Sequence, residues 1–69
     1  MSFNYEPLFV LLKERGIKKK ELRQITGISK STMDKMYRGE YVALSVLDRC
    51  CRALNCKIED VIEWEDKNE

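Results

Sequence analysis

Lys30, Ser31, Asp34, Lys35 and Arg38 fall on one side of the stretch TGISKSTMDKMYRG at helical spacing, with no large apolar residue among them. Lysine and arginine are fixed cationic donors, and serine and threonine hydroxyls both donate and accept. Such a face suits a partner rich in anionic or carbonyl oxygens. A second cationic group, Lys18-Lys19-Lys20, precedes it. Three cations at a helix start oppose the macrodipole, at about 0.3–1 kcal/mol each, and Glu21 offsets only part of that. A docked phosphate reverses the sign, because it meets free backbone N–H groups and ammonium groups together. A solvated charge run is the alternative reading of these lysines.

Other chemistries lack their residues. The chain has no histidine and three cysteines, Cys50, Cys51 and Cys56. Adjacent cysteines on a helix point about 100° apart, which is poor metal-ligand geometry, and a cysteine nucleophile has no histidine to activate it. An odd number without an export signal argues against a disulfide framework, so the three read as small apolar packing residues. No carboxylate pair, phosphate-cradling glycine loop or metal-ligand spacing appears. The expectation is a non-enzyme without metal or cofactor.

Charge is unevenly placed. Residues 13–38 hold nine Lys or Arg against three acids, while residues 39–69 hold four bases and eight acids, within a net charge of +1. A basic centre and an acidic C-terminal part therefore hide behind near-neutrality. With 69 residues, this is expected to be one small domain, 1–69, that buries about 60% of its unfolded surface. The longest apolar run, Leu8 to Leu12, is far shorter than the roughly 20 residues of a membrane span, and no signal peptide is read. A cytoplasmic protein with no membrane partner is expected.

Five helices are expected, and no strand, because strict apolar–polar alternation never persists. The first, about 5–15, has Asn4 as N-cap, Phe3 stapled on Leu8, and a Tyr5, Leu8, Phe9, Leu12 stripe ended by Gly16. Val10 and Leu11 widen that stripe, either as ordinary exposed apolars or as a self-association surface. The second, 19–26, turns Leu22 and Ile25 inward. Gly27 is a turn position tolerant of positive φ. Ser29 caps the third, 30–38, with Ile28 and Met33 at hydrophobic-staple spacing and Met33, Met36 and Tyr37 buried. The fourth, 46–54, is capped by Ser45 with Asp48 at N3, buries Leu47, Cys50, Cys51 and Leu54, and stops at Asn55. The fifth, 58–64, packs Ile58, Val61 and Ile62 inward. Trp64 reads as a packing anchor or a dimer contact, and 65–69 as a frayed, solvated acidic tail, or one that repels or contacts a partner.

Two short helices joined through a glycine turn, the second with a polar outer face, make a helix-turn-helix. Leu22, Gly27, Met33 and Met36 stand where that motif needs an inner apolar residue, a turn glycine and two core residues. At ELRQITGISKSTMDKMYRGE, followed by LSVLDRCCRALNCKIEDVIEW, the chain resembles the Cro and phage-repressor type of helix-turn-helix regulator, the Xre family. The resemblance spans about residues 5–64. Its most specific parts are Glu21-Leu22, Thr26-Gly27-Ile28-Ser29 and Leu54-Asn55-Cys56. Arg23 departs from it, standing where Ala is usual, and so does Thr26, where an aliphatic is common.

The resemblance implies an all-α, lambda-repressor-like five-helix domain, bacterial or phage, that binds operator DNA, commonly as a homodimer, and acts as a repressor or other transcriptional regulator. It implies that the second helix of the motif enters the major groove, which makes Lys30, Ser31, Thr32 and Lys35 base-reading candidates. Lys18, Lys19 and Lys20 are phosphate-binding candidates, with Arg38 and Tyr41 just beyond the recognition helix. Asp34 either accepts from a cytosine amino group or holds Lys30 or Arg38 by an i±4 pair, the second being favoured. No small-molecule pocket or inducer domain fits in the length. The competing class is a protein-interaction module, antitoxin-like or an adaptor, that reuses the fold without reading bases.

Overall fold

The computed structural model describes residues 2–66, and its elements follow from local signals along most of the chain. Strand β1 (Ser2–Asn4) leads into helix α1 (Glu6–Arg15), then α2 (Lys19–Thr26), α3 (Lys30–Tyr37) and α4 (Leu44–Leu54). A single 3-10 turn (Ile58–Asp60) and strand β2 (Glu63–Glu65) follow. Among the described residues, the helix-turn-helix thus sits in a mostly helical fold of four α-helices rather than five.

The expected fifth helix is the main correction. Only three residues of it coil, as the 3-10 turn; Glu63-Trp64-Glu65 instead pairs antiparallel with Ser2-Phe3-Asn4, with Phe3 opposite Trp64. A helix of about seven residues holds few internal hydrogen bonds for its nucleation cost, and the aromatic of each strand, Phe3 and Trp64, favours the extended conformation. Asn4 Nδ2 also donates to Glu65 Oε1 at 2.9 Å across the pair. Glu65 is therefore not frayed, and the rest of the expected tail, 67–69, lies outside the described residues.

Leu8, Leu22, Met33, Met36, Cys50, Leu54 and Val61 are almost fully buried and form the centre of the core. Cys51 and Cys56 pack against it half-buried, and all three thiols are free, as their apolar reading anticipates. Burial pushes the Cys50 thiol up to about 11. Leu8 N, one of the unpaired donors in the first turn of α1, donates to Val61 O at 3.3 Å and so ties the 3-10 turn to that helix. The Tyr5 hydroxyl donates to Glu40 O at 2.6 Å, joining α1 to the loop after α3.

Several side chains face other ways than expected. Ile25 is 46% exposed, and the inward position goes to Thr26, whose Oγ1 has backbone partners to satisfy it there. Tyr37 is 45% exposed because it stacks on Phe9 at the surface, centroids 4.6 Å apart. Trp64 is 55% exposed, since a three-residue ribbon has no second layer over its outer face, and Ile58 in the 3-10 turn is exposed too. Phe3 does not staple onto Leu8; its ring stands edge-on to Tyr41 at 6.3 Å.

Two caps shift. The N-cap of α1 is Tyr5, while Asn4 Oδ1 accepts from Glu6 N at 2.9 Å from one place further out. The cap of α4 is Ala43, not Ser45, so Asp48 lies beyond the first turn and pairs with Arg52 at 2.9 Å. Arg38 is the C-cap of α3, and Asn55 closes α4 in the left-handed region at φ 50°.

Candidate nucleic-acid interface

The site is assembled at the turn between α2 and α3. Gly27 sits at φ 74°, where L side chains are strained, and reverses the chain after α2. Thr26 completes the turn: its buried hydroxyl donates to Leu22 O at 2.6 Å and accepts from Ile28 N at 3.3 Å. This explains how a threonine serves at a position where the resemblance expects an aliphatic. Arg49 reaches over from α4 and donates to Gly27 O at 3.4 Å. Ile28 and Met33 are both buried, as the staple requires.

Ser29 then starts α3. Its Oγ accepts from Thr32 N at 3.2 Å, and the same hydroxyl bonds Thr32 Oγ1 at 3.0 Å and Ser31 Oγ at 3.2 Å. Two of the expected base-reading residues, Ser31 and Thr32, are therefore linked through the cap. Lys30, Ser31 and Lys35 are exposed, and Thr32 is half-buried. Thr32, Lys35 and Tyr41 line one shallow groove between α3, the loop that follows it and the start of α4.

Asp34 bridges the two helices. Its Oδ1 accepts from Lys19 Nζ and its Oδ2 from Lys30 Nζ, each at 3.4 Å. The Lys19 ammonium also lies 4.6 Å over the Tyr37 ring, a cation–π contact. Partial desolvation raises the Asp34 carboxyl, but hydrogen bonds and charge from Lys19 and Lys30 outweigh it and hold the group below its ordinary value. The favoured i±4 reading of Asp34 therefore holds for Lys30. Arg38 is instead bound by Glu40, Nε to Oε2 at 2.7 Å, and that hydrogen bond raises its pKa.

Lys18 is the N-cap of α2 and gives it no side-chain cap. The first turn of α2 therefore carries uncapped N–H groups beside Lys18, Lys19 and Lys20, all exposed. Lys20 borders a shallow site with Arg23 and Gln24, where the Arg23 Nε is buried without a hydrogen-bond partner. Arg23 as a whole is half-buried. Sequence reasoning missed the structural parts of Ser29 beyond its cap, of Arg49 and of the Lys19–Asp34 pair. Only the Ser29–Thr32 spacing carried a signal for any of them.

A model of the Cro/C1-type HTH DNA-binding domain matches residues 8–67. The chain belongs to that family. The Cro/C1-type chain is also similar to a solved structure described as "Crystal structure of transcriptional regulator VanUg, Form II", at 42% identity and a TM-score of 0.90. That match covers 96% of this chain and 88% of the other. Among curated proteins none matches significantly. Among the described residues, no helix is long and apolar enough to cross a membrane, and no group of three or more His, Cys, Asp or Glu could hold a metal ion.

Proposed function

We propose that this Cro/C1-type domain is a transcriptional regulator that binds double-stranded DNA sequence-specifically, with α3 in the major groove. The observation that carries the reading is the Lys19–Asp34–Lys30 bridge, which sets ammonium groups from both helices of the motif side by side. In this reading Lys30, Ser31, Thr32 and Lys35 meet base edges, with lysine donating to guanine O6 or N7 and the hydroxyls pairing with several bases. Lys18, Lys19 and Lys20 at the uncapped end of α2 take backbone phosphates, joined by Arg38 and Tyr41 on the far side of α3. The similarity to a transcriptional regulator supports the regulatory role. One short helix discriminates few base pairs, so a homodimer on half-sites about 34 Å apart belongs to the proposal.

Selection of bound sites from a random duplex library tests specificity and symmetry together: one enriched palindrome is expected, and no enrichment refutes base reading. Titration over a salt series should show log affinity falling steeply with log salt, by about 0.9 per phosphate neutralised. Absent or salt-insensitive binding leaves the protein-interaction class. Replacing Lys30 and Lys35 with Ala should change the selected sequence. Because Lys19 shares Asp34 with Lys30, the cleaner anchoring variant is Lys18→Ala with Lys20→Ala, which should weaken all duplexes alike and reduce the salt slope by about 1 per lysine. Identical behaviour of the two variants would refute the division into reading and anchoring residues.

A further inference from the structure

Away from α2 and α3 the chain carries a surface of the opposite sign. Residues of α1 form one wall of an open groove of about 370 Å³, and the 3-10 turn and β2 form the other. Glu6 and Glu14 stand on the first wall with Val10 and Leu11 of the same helix between them along the chain, and Glu59 and Glu63 stand on the second. No lysine or arginine lines the groove. Among the described residues Asp34, Glu40 and Asp48 each hold a basic partner, while the side chains of these four glutamates hold none. Val10, on the α1 wall, is 50% exposed.

Two features together define what fits. Like charges facing each other across a groove repel, and a cationic occupant removes that repulsion. A single metal ion does not match, because the acids are spread along both walls and no three of the described acids converge. Nucleic acid is excluded by its sign. An α1 wall whose apolar side chains are flanked by acids, facing a second acidic wall, is complementary to a helix with an apolar stripe flanked by cations. The basic helix of this chain, α2, already turns its Leu22 and Thr26 side into its own core, so a second copy has no such stripe to offer.

We infer that the α1 groove docks a Lys/Arg-rich amphipathic helix of a partner protein, its apolar stripe on Val10 and Leu11 and its cations on Glu6, Glu14, Glu59 and Glu63. None of these residues belongs to α2 or α3, so the inference stands apart from DNA reading and leaves the basic face free.

The test is a panel of labelled peptides of about 18 residues, helical by design, with Leu at i, i+3, i+4 and i+7 and Lys or Arg between. Scrambles of the same composition serve as controls, and binding is read by anisotropy at two salt concentrations and by amide shifts of the whole protein. The amphipathic peptides should bind about tenfold tighter than their scrambles, with shifts centred on Glu6–Glu14 and Ile58–Glu63. Val10→Ser should weaken binding severalfold without altering its salt dependence. Glu14→Gln with Glu59→Gln should flatten the salt dependence, and both variants should keep the wild-type melting temperature. Equal binding of the scrambles, shifts centred elsewhere, or no peptide binding tighter than about 1 mM overturns the inference. So does a wild-type dimer that Val10→Ser converts to monomer, which would make a second copy the occupant. The wild-type shift map decides the matter even if a variant unfolds.

Discussion

The α2–turn–α3 unit and the terminal ribbon are held by opposite kinds of contact. In the first, most contacts that fix the turn and start α3 close within four residues, Thr26 to Leu22, Ile28 to Thr26 and Thr32 to Ser29, with Arg49 to Gly27 O the longer-range addition. In the second, Asn4 reaches Glu65 across almost the whole chain, and each strand has three residues. Short loops close at little entropic cost, while a small isolated ribbon is marginal in water. The ribbon therefore leans on α1 and the 3-10 turn, which the Leu8 N to Val61 O bond holds together. The proposed DNA face is built on the part of the molecule whose geometry is set locally, and the ribbon closes the domain away from it.

The turn is where that contrast breaks most severely. Gly27→Val forces a β-branched residue into φ 74°, although a Cβ there meets only Arg49 Nη1 at an ordinary 3.7 Å. The cost is backbone strain, about 1–3 kcal/mol, read as lost helicity and a melting temperature lower by roughly 4–8 °C per kcal/mol. Thr26→Val is next. It keeps the shape but removes both bonds of the buried hydroxyl and leaves Ile28 N without an acceptor, at about 1–2 kcal/mol. A melting temperature unchanged by Thr26→Val would show that the hydroxyl fills space and nothing more.

The same contrast decides what could be read from the sequence. Gly27, the Ser29 cap, the Ile28–Met33 staple, the Met33 and Met36 core positions and the Asn55 stop depend on neighbours a few residues away, and each stands where expected. Ile25 and Thr26 exchanged roles because apolar pattern cannot register that a hydroxyl has two backbone partners inside. Tyr37 left the core for a surface stack with Phe9, a contact between helices far apart in sequence. The ribbon was invisible because neither strand alternates long enough to signal itself. Half of the Asp34 bridge was legible as the i,i+4 pair with Lys30; Lys19 required the angle between α2 and α3.

Ser29→Ala sharpens the local side of the comparison with a smaller effect. Loss of an N-cap acceptor costs about 1 kcal/mol, so the melting temperature should fall by roughly 4–8 °C. The hydroxyl also links Ser31 and Thr32, and the two side chains then lose a shared partner. Binding to a selected duplex should fall by more than binding to random duplexes. Equal losses would place Ser29 among stability residues alone.

Asn4→Ala has the smallest expected effect and bears on the ribbon directly. It removes the acceptor for Glu6 N and the donor to Glu65, both exposed or half-buried contacts of 2.9 Å. Exposed groups regain water, so the loss should be about 0.5–1 kcal/mol, or a few degrees in melting temperature. Hydrogen exchange carries the argument. If the ribbon is a late, separately opening closure, the amides of Ser2–Asn4 and Glu63–Glu65 lose protection while those of α2 and α3 keep theirs. DNA affinity should then stay within twofold of the wild type, about 0.4 kcal/mol. If protection falls together in α2, α3 and the ribbon, the domain opens as one unit, and the locally set turn would owe its stability to the distant pairing of its chain ends.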